Sequence, residues 1–299
     1  MKITTADLTQ DRQWRAMIGM SEQQFYSLSD AFTKAYFNTY NNTLSQRKVE
    51  VNITYCLQNE EDLLLFTLMS LKLGLTYDAL GVACGMSASN AVRNQKIGLA
   101  VLATALDHLG VMPKRKLLNT DDFKTLFGKH QDLFMDATEQ RIQRPQDKEF
   151  QKETYSGKKK ANTLKAMIIT TFLKTIPYIS HCCEGKRHDF SLLKNEFESD
   201  KYWFNDFNIY LDLAYIGFSD KYQCQNLFIP HKKSKNKPLT ENQKEENKQL
   251  SSKRVIVEHS FAGLKRFRIL SDRLRLHRID FYDDILGVCA GLWNLYLAN

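Results

Sequence analysis

Two aspartates stand within short apolar runs of the sequence. Asp136 lies in the run 132–138 and Asp212 in the run 207–213, each among large aliphatic and aromatic residues. A buried carboxylate is costly unless it is paired with a cation or binds a metal ion. The two runs therefore indicate acids placed for metal ligation. The alternative for either residue is a carboxylate that turns to solvent or caps a helix.

A third acid, Glu258, stands between basic residues at helical spacing. Arg254 precedes it by four residues and Lys265 follows it by seven. At 3.6 residues per turn, these positions lie within about 40° of one another on one helix face. Such a stripe suits a carboxylate that binds metal beside cations that bind phosphates. The alternative is a surface Arg–Glu pair, which contributes only about 0.3–0.5 kcal/mol.

Metal-assisted phosphodiester hydrolysis is the reaction that needs such a set of residues. Two Mg²⁺ ions about 3.5–4 Å apart activate the attacking water and stabilise the leaving oxygen, and Mg²⁺ prefers carboxylate ligands. The chain holds 42 Lys and Arg against 34 Asp and Glu, a net charge of +8, which suits a nucleic-acid partner. Basic residues cluster in the stretches 141–165 and 254–278, beside the candidate acids.

The elements that must position these acids are predicted from apolar patterning. Runs rich in β-branched and aromatic residues predict five strands, at 132–138, 164–172, 176–183, 207–213 and 227–230. A helix begins near His188 with Asp189 as its cap, and helices follow from about residue 240, the last at 282–297. Asp212 would point away from the face that its apolar neighbours share. This order predicts an α/β catalytic domain of the ribonuclease-H type, a mixed five-stranded sheet with flanking helices.

A helical pattern precedes this region. The sequence predicts a helix at 60–73 that ends at Gly74, a short helix after Thr76, a turn at Gly85 and a longer helix capped by Ser87. A short helix, a glycine turn and a capped longer helix make up the helix-turn-helix pattern. The second helix would present polar side chains to base edges and phosphates, namely Ser87, Ser89, Asn90, Arg93, Asn94 and Lys96. An ordinary helical hairpin is the alternative.

Length and patterning also predict the domain organisation. A chain of 299 residues is long enough for about two domains. We expect an N-terminal helical region at 1–58, broken by a loop at 37–42, then a helix-turn-helix domain at 59–115 and the catalytic domain at 116–299. No apolar run approaches the ~20 residues that span a bilayer, and residues 1–7 lack the apolar segment of an export signal. We therefore expect a cytoplasmic protein without a membrane partner, associated with the nucleoid if its source is bacterial.

The first two acidic motifs resemble those of DDE transposases. The nearest branch is the bacterial insertion-sequence group related to Harbinger elements. The stretch 136–145, which begins Asp-Ala-Thr-Glu, and the stretch 155–160, Tyr-Ser-Gly-Lys-Lys-Lys, are similar to the family's first-Asp region. The stretch 212–217, Asp-Leu-Ala-Tyr-Ile-Gly, resembles its second-Asp strand and turn.

The third acidic motif completes this resemblance. Arg254, Glu258 and Lys265 are similar to the family's third-acid helix. The resemblance extends from about Asp62 to the C-terminus, because the helix-turn-helix segment is also similar to one that these enzymes carry. The sequence departs from the family pattern at Ser251, where related enzymes often have a tyrosine that assists in positioning DNA.

The family resemblance implies a reaction and a set of roles. Asp136, Asp212 and Glu258 would bind Mg²⁺ or Mn²⁺, as two ions. The DNA phosphates would be contacted by Arg254, Lys265, Lys158, Lys159 and Lys160. A homodimer would pair the terminal inverted repeats of an element, hydrolyse their phosphodiesters and transfer the exposed 3′-hydroxyls to target DNA. Two alternatives remain open: a domesticated DNA-binding protein without transposition activity, and a nuclease that cuts without joining.

Overall fold

The computed structural model describes residues 3–51, 56–234, 238–275 and 279–298. The chain divides into two compact units. The first comprises Met1–Met112, Leu264–Leu274 and Phe281–Asn299, and the second comprises Pro113–Gly263 and Arg275–Asp280. Helices make up the first unit, whereas the second combines helices with a sheet. The three-domain division at residues 58 and 115 stays a prediction.

The described residues form the following helices and strands. The helices are α1 Asp11–Ile18, α2 Glu22–Tyr40, α3 Leu44–Val51, α4 Glu60–Leu73, α5 Tyr77–Cys84, α6 Ala88–His108, α7 Thr120–Phe127, α8 Lys148–Thr154, α9 Asp189–Glu196, α10 Glu241–Lys265, α11 Arg268–Ser271 and α12 Ile279–Ala298. The strands are β1 Asp132–Arg141, β2 Tyr155–Ser156, β3 Ala161–Thr170, β4 Tyr178–Ile179, β5 Cys183–Glu184, β6 Phe204–Tyr210 and β7 Cys224–Phe228. None of these helices is both long and apolar enough to cross a membrane.

The first unit is built around α4, which is buried along most of its length and packs against α1, α2, α6 and α11. The predicted bounds of α4 are confirmed, and Gly74 ends it in the left-handed conformation with φ 60°. The predicted caps are confirmed too. The Thr76 side chain accepts a hydrogen bond from the backbone N–H of Ala79, and the Ser87 side chain accepts one from that of Asn90.

The predicted loop at 37–42 is wrong for most of its length. Helix α2 continues to Tyr40, and the break comes at Asn41, which adopts φ 52°. The buried side chain of Tyr36 anchors the last turn of α2 against the core, and Thr39 donates its hydroxyl to the carbonyl of Ala35. Asparagine tolerates the left-handed conformation better than most residues, so the helix ends there rather than earlier.

The second unit contains a mixed sheet with β1 inside it. The strand order is β2-β3-β1-β6-β7, with β4 and β5 also paired to β3. Strand β1 is antiparallel to β3 and parallel to β6, and β6 is parallel to β7. The predicted single strand at 176–183 is instead divided into β4 and β5. Ser180 interrupts it, because its hydroxyl takes the backbone N–H of Met167 away from the strand ladder.

Helices cover both faces of this sheet. On one face, Phe123 and Phe127 of α7 and Leu192 and Leu193 of α9 enter a core with alternate residues of the strands. On the other face, Val257 of α10 packs with a smaller cluster of sheet residues. Since strand side chains alternate between faces, each strand residue can be assigned to the α7/α9 face or to the α10 face.

Candidate active site

Asp136 lies in β1 on the α10 face of the sheet. Leu133 and Met135 belong to the core under α7 and α9, whereas Phe134 packs with α10. Asp136 is two residues beyond Phe134 and therefore shares its face. Its side chain is 18% exposed, and its Oδ1 accepts a hydrogen bond of 2.8 Å from the N–H of Ala137. The carboxylate thus stands in a largely desolvated place within the sheet.

Asp212 stands at the matching position just beyond the end of the neighbouring strand, β6. Phe134 pairs with Tyr210 in the parallel register of β1 and β6, so both aspartates lie two residues beyond the same pair. The prediction that Asp212 lies within a strand running to Leu213 is wrong. Strand β6 ends at Tyr210, Leu211 N–H bonds to Phe228 of β7, and Leu213 is exposed.

Asp212 itself begins a short 3-10 helix at Leu213–Tyr215. Its Oδ1 accepts a hydrogen bond of 2.7 Å from the N–H of Ala214. Asp212 therefore does cap a helix, as the alternative had it, through one of its two carboxylate oxygens. The cap also fixes the orientation of the carboxylate beside β1.

The electrostatics of Asp136 reflect this placement. Burial raises the pKa of Asp136 to about 6, and the negative charge of Asp212 raises it as well. The hydrogen bond from Ala137 and the guanidinium of Arg254 lower it, but they do not offset the first two effects. Two like charges near each other in a desolvated place favour a bound cation.

Helix α10 brings Arg254 to this site. Val257 packs with Phe134 and Tyr210, and the Ser260 and Thr170 hydroxyls are 2.9 Å apart. These contacts fix how α10 lies on the sheet. Arg254 Nη2 consequently lies 3.7 Å from Asp136 Oδ2.

Glu258 is an exposed residue one turn beyond Arg254. Four residues of helix advance about 6 Å and return to nearly the same face, so Glu258 lies on the side of α10 that carries Arg254. Among the residues that the structure describes, no three His, Cys, Asp or Glu side chains are grouped so as to hold a metal ion. The structure therefore brings Asp136, Asp212 and Arg254 together, and the inclusion of Glu258 stays a prediction.

A buried charge cluster next to Asp136 was not predicted from the sequence. Lys165 Nζ lies 2.7 Å from Asp189 Oδ1 and 3.5 Å from Glu139 Oε1, and it also bonds the carbonyl of Arg187. The prediction that Asp189 caps α9 is wrong. His188 occupies the cap, and Asp189 is the first residue of the helix, turned toward Lys165. Its charge also raises the pKa of Asp136.

Tyr215 is a further residue beside the acids whose role was not predicted from the sequence. It is fully buried, and its hydroxyl has no hydrogen-bond partner among the described residues. Burial raises the pKa of Tyr215, and the charges of Asp136, Asp189 and Asp212 raise it further. An unpaired buried hydroxyl costs free energy, so this group is held beside the acids at the expense of stability.

The remaining predicted DNA contacts lie on exposed parts of both units. Lys158, Lys159 and Lys160 form the tip between β2 and β3, and all three are exposed. Lys265 is the exposed last residue of α10 and belongs to the first unit. Ser87, Ser89, Asn90 and Arg93 are exposed at the start of α6. The last basic residue of the stretch 254–278, Arg278, lies outside the described residues.

Known proteins match this part of the chain and beyond it. A family model described as DDE superfamily endonuclease matches residues 135–294. The chain is also 29% identical over 300 residues to a probable transposase for insertion sequence element IS702 from Microchaete diplosiphon, an alignment that covers 100% of this chain and 99% of that protein. No solved structure matches the chain.

Proposed function

Since this chain belongs to the DDE superfamily of endonucleases, we propose that it is a DNA transposase that cuts phosphodiesters at the ends of its element and joins the resulting 3′-hydroxyls to target DNA. The observation that carries the proposal is the placement of Asp136 and Asp212 beside Arg254 at the edge of one sheet face. The similarity of the full chain to a probable insertion-sequence transposase supports strand transfer rather than cutting alone.

The second unit is, in this proposal, a catalytic domain of the ribonuclease-H type. Its support is a mixed sheet in which β1 has an antiparallel neighbour on one side and a parallel neighbour on the other. One acid lies on β1, and another follows the parallel neighbour. Helices on both faces bury the sheet, and this rigid support suits a site that needs accurate positioning.

Asp136 and Asp212 suit a divalent cation. The charge of Asp212 opposes ionisation of Asp136 in a desolvated place, and Mg²⁺ and Mn²⁺ prefer oxygen ligands. We assign Glu258 as the third ligand, reached from the same side of α10 as Arg254, in a site for two ions. When bound, the metal would supply activation of water and stabilisation of the leaving oxygen.

The protein's own residues position the DNA strand. Arg254 presents a planar guanidinium, which suits bidentate contact with a phosphate, next to the acid that it now faces. Lys158, Lys159, Lys160 and Lys265 contact phosphates further along the strand. Asp136 must lose its proton before it can bind a cation, and Arg254 favours that ionised form.

Helices α5 and α6 are the proposed helix-turn-helix reader of the element's ends. Ser89, Asn90 and Arg93 are exposed where a recognition helix contacts bases. Ser87 differs from them, because its hydroxyl caps α6 and its loss would cost about 1 kcal/mol of helix stability. Arg93→Ala should weaken binding to the terminal repeats without lowering the melting temperature. Unchanged binding in a gel-shift titration would rule this helix out as the reader.

The experiment that tests the proposed function is a cutting and joining assay. Full-length protein is incubated with Mg²⁺, DNA that carries the element's terminal repeats, and a target plasmid. We expect nicks at the repeats and joined products, made by a dimer that holds two ends. Asp136→Asn, Asp212→Asn and Glu258→Gln should each abolish both products and retain binding to the repeats. The matched control is Asp200→Asn, at an exposed acid of the same unit.

Three outcomes separate the candidate functions. Nicks without joined products would indicate a nuclease. Binding to the repeats without either product would indicate a DNA-binding protein of the domesticated type. Joined products that persist in Asp136→Asn would contradict the assignment of the active site.

A further inference from the structure

A groove lined by basic and amide side chains lies in the second unit, apart from the acids. Its lining residues are Arg144, Gln151, Lys152, Tyr155, Lys160, Ala161 and Asn162. We propose that this groove binds one unstacked nucleotide of a DNA strand, with the base on the ring of Tyr155 and the phosphate between Arg144 and Lys160. The inference rests on the proposed function only in taking DNA as the substrate.

Asn162 holds the walls of this groove in place. Tyr155 and Asn162 are direct partners in the β2–β3 register, so their side chains share a face. Asn162 Nδ2 donates to the carbonyl of Gln151 at 2.7 Å and to Thr154 Oγ1 at 2.9 Å. These bonds tie β3 to α8, and the groove is therefore formed before any ligand arrives.

The charge and size of the groove suit a nucleotide. Among the residues that the structure describes, three cations line it, Arg144, Lys152 and Lys160, and no carboxylate does. Lys152 is held at the rim by an exposed ion pair with Glu149, which contributes little and can yield to a phosphate. The groove has a volume of about 570 Å³, within the range of roughly 300–1,000 Å³ that is typical of small-ligand sites.

Tyr155 provides the surface for a base. Tyr155 is 49% exposed although it lies in a strand. Every base has a π-face, so an aromatic ring beside basic side chains binds single strands with little sequence preference. In a duplex both faces of each base are already stacked on neighbours, so the groove should select single-stranded DNA or a base turned out of a helix.

The backbone of Lys160 gives independent support. Lys160 adopts φ 49°, in the left-handed region, which costs a residue with a side chain about 1–2 kcal/mol. Glycine or asparagine would adopt this conformation more easily. A lysine at a strained position on the groove's rim supports a role for its cation there.

The groove is separate from the acid pair. Ile168 is the partner of Asp136 in β3, and Asn162 lies six residues earlier in the same strand. At about 3.3 Å per residue the separation is roughly 20 Å. A strand within a DNA duplex rises about 3.4 Å per nucleotide, so about six nucleotides of duplex would extend from one to the other.

The test is a fluorescence-anisotropy titration of the full chain, in EDTA, with a labelled oligonucleotide of twelve thymidines and with a duplex of the same length. Tyr155→Ala should weaken single-strand binding by about 5- to 150-fold, as expected for losing one stacked base, and duplex binding by less than about twofold. Tyr155→Phe should bind like the unaltered protein, because it keeps the ring. Lys160→Gly should lower the slope of log affinity against log salt by about 0.7, the value for one phosphate contact on a single strand.

Controls separate binding from folding and from catalysis. Lys160→Gly relieves the left-handed strain, so its melting temperature should not fall. Lys221→Ala removes an exposed cation outside the groove's lining and should leave the salt slope unchanged. Unaltered single-strand binding in Tyr155→Ala, or an equal loss for duplex and single strand, would overturn the proposal. If cutting and joining fail while Tyr155→Ala still loses single-strand affinity, the proposed function is wrong and the nucleotide groove stands.

Discussion

Arg254 Nη2 lies 3.7 Å from Asp136 Oδ2, with one residue on helix α10 and the other on strand β1. The guanidinium partly offsets the burial and the neighbouring Asp212 charge that disfavour an ionised Asp136. Burial of Val257 against Phe134 and Tyr210 fixes α10 in this position. The same packing that stabilises the domain therefore brings the guanidinium of Arg254 to the acids.

The raised pKa of Asp136 predicts a pH-dependent gain of stability in Asp136→Asn. In the metal-free folded protein this pKa lies at about 6, against an ordinary value of 3.8, so ionisation opposes folding as pH rises through this window. The cost above pH 7 is at most roughly 3 kcal/mol. Asp136→Asn should therefore be more stable than the unaltered protein at pH 8 and nearly equal at pH 4, as measured by urea unfolding in EDTA.

Asp200→Asn is the control for this prediction. Asp200 is exposed and outside the site, so its replacement should not alter the difference between the two pH values. An Asp136→Asn variant that is less stable than the unaltered protein at pH 8 would show that its carboxylate stabilises the fold, contrary to the present account.

The unpaired hydroxyl of Tyr215 predicts opposite effects for two tyrosine substitutions. Tyr215→Phe removes a buried hydroxyl without a partner among the described residues and should raise the free energy of unfolding by about 1–3 kcal/mol. Tyr178→Phe removes a hydroxyl that bonds to Glu196 at 2.6 Å and should lower it by about 1 kcal/mol or more. Urea unfolding in EDTA measures both. Loss of stability in both variants would mean that Tyr215 has a partner in solution.

The charge cluster around Lys165 predicts a large loss of stability on its removal. Side-chain exposures are 7% for Lys165, 8% for Glu139 and 14% for Asp189, so Lys165→Met leaves two buried acids without their cation. We expect a loss of about 3–5 kcal/mol, part of which Lys165→Met with Asp189→Asn should recover. A double-mutant cycle by chemical denaturation measures this coupling.

An exposed ion pair supplies the comparison for Lys165. Lys244 and Glu241 form such a pair on α10, with side-chain exposures of 56% and 87%. Lys244→Met should leave the free energy of unfolding unchanged within error, because solvent screens exposed pairs. Equal effects of the two lysine substitutions would contradict the importance of burial in the cluster.

The sequence was sufficient where local chemistry decides the outcome. Thr76 and Ser87 cap their helices and Gly74 ends α4 as predicted, because caps and left-handed turns depend on nearby residues. Asp136 could be identified as an acid within a strand, because a strand can be recognised from a run of only a few apolar residues. Helix α10 could likewise be predicted, because its pattern is set by residues that are close in the sequence.

The sequence was insufficient where distant partners decide the outcome. Strand β6 stops at Tyr210, where its parallel pairing with β7 ends at Phe228, eighteen residues further along, and no local pattern marks the end of that pairing. Asp189 was predicted to cap α9, but its carboxylate instead accepts a hydrogen bond from Lys165 of β3. The burial of Tyr215 beside three acids depends on the folded sheet, so its apolar and polar neighbours in the chain give no sign of it.

Cleavage of the peptide backbone by bound iron would show which residues surround the metal ion. Fe²⁺ in place of Mg²⁺, with ascorbate and peroxide, generates radicals that cut the chain near the ion, and mass spectrometry locates the cuts. With element-end DNA bound, we expect cuts near Asp136, Asp212 and Glu258 that disappear in Asp136→Asn. Cuts that avoid Glu258, or that persist without the Asp136 carboxylate, would contradict a metal site shared by these three acids.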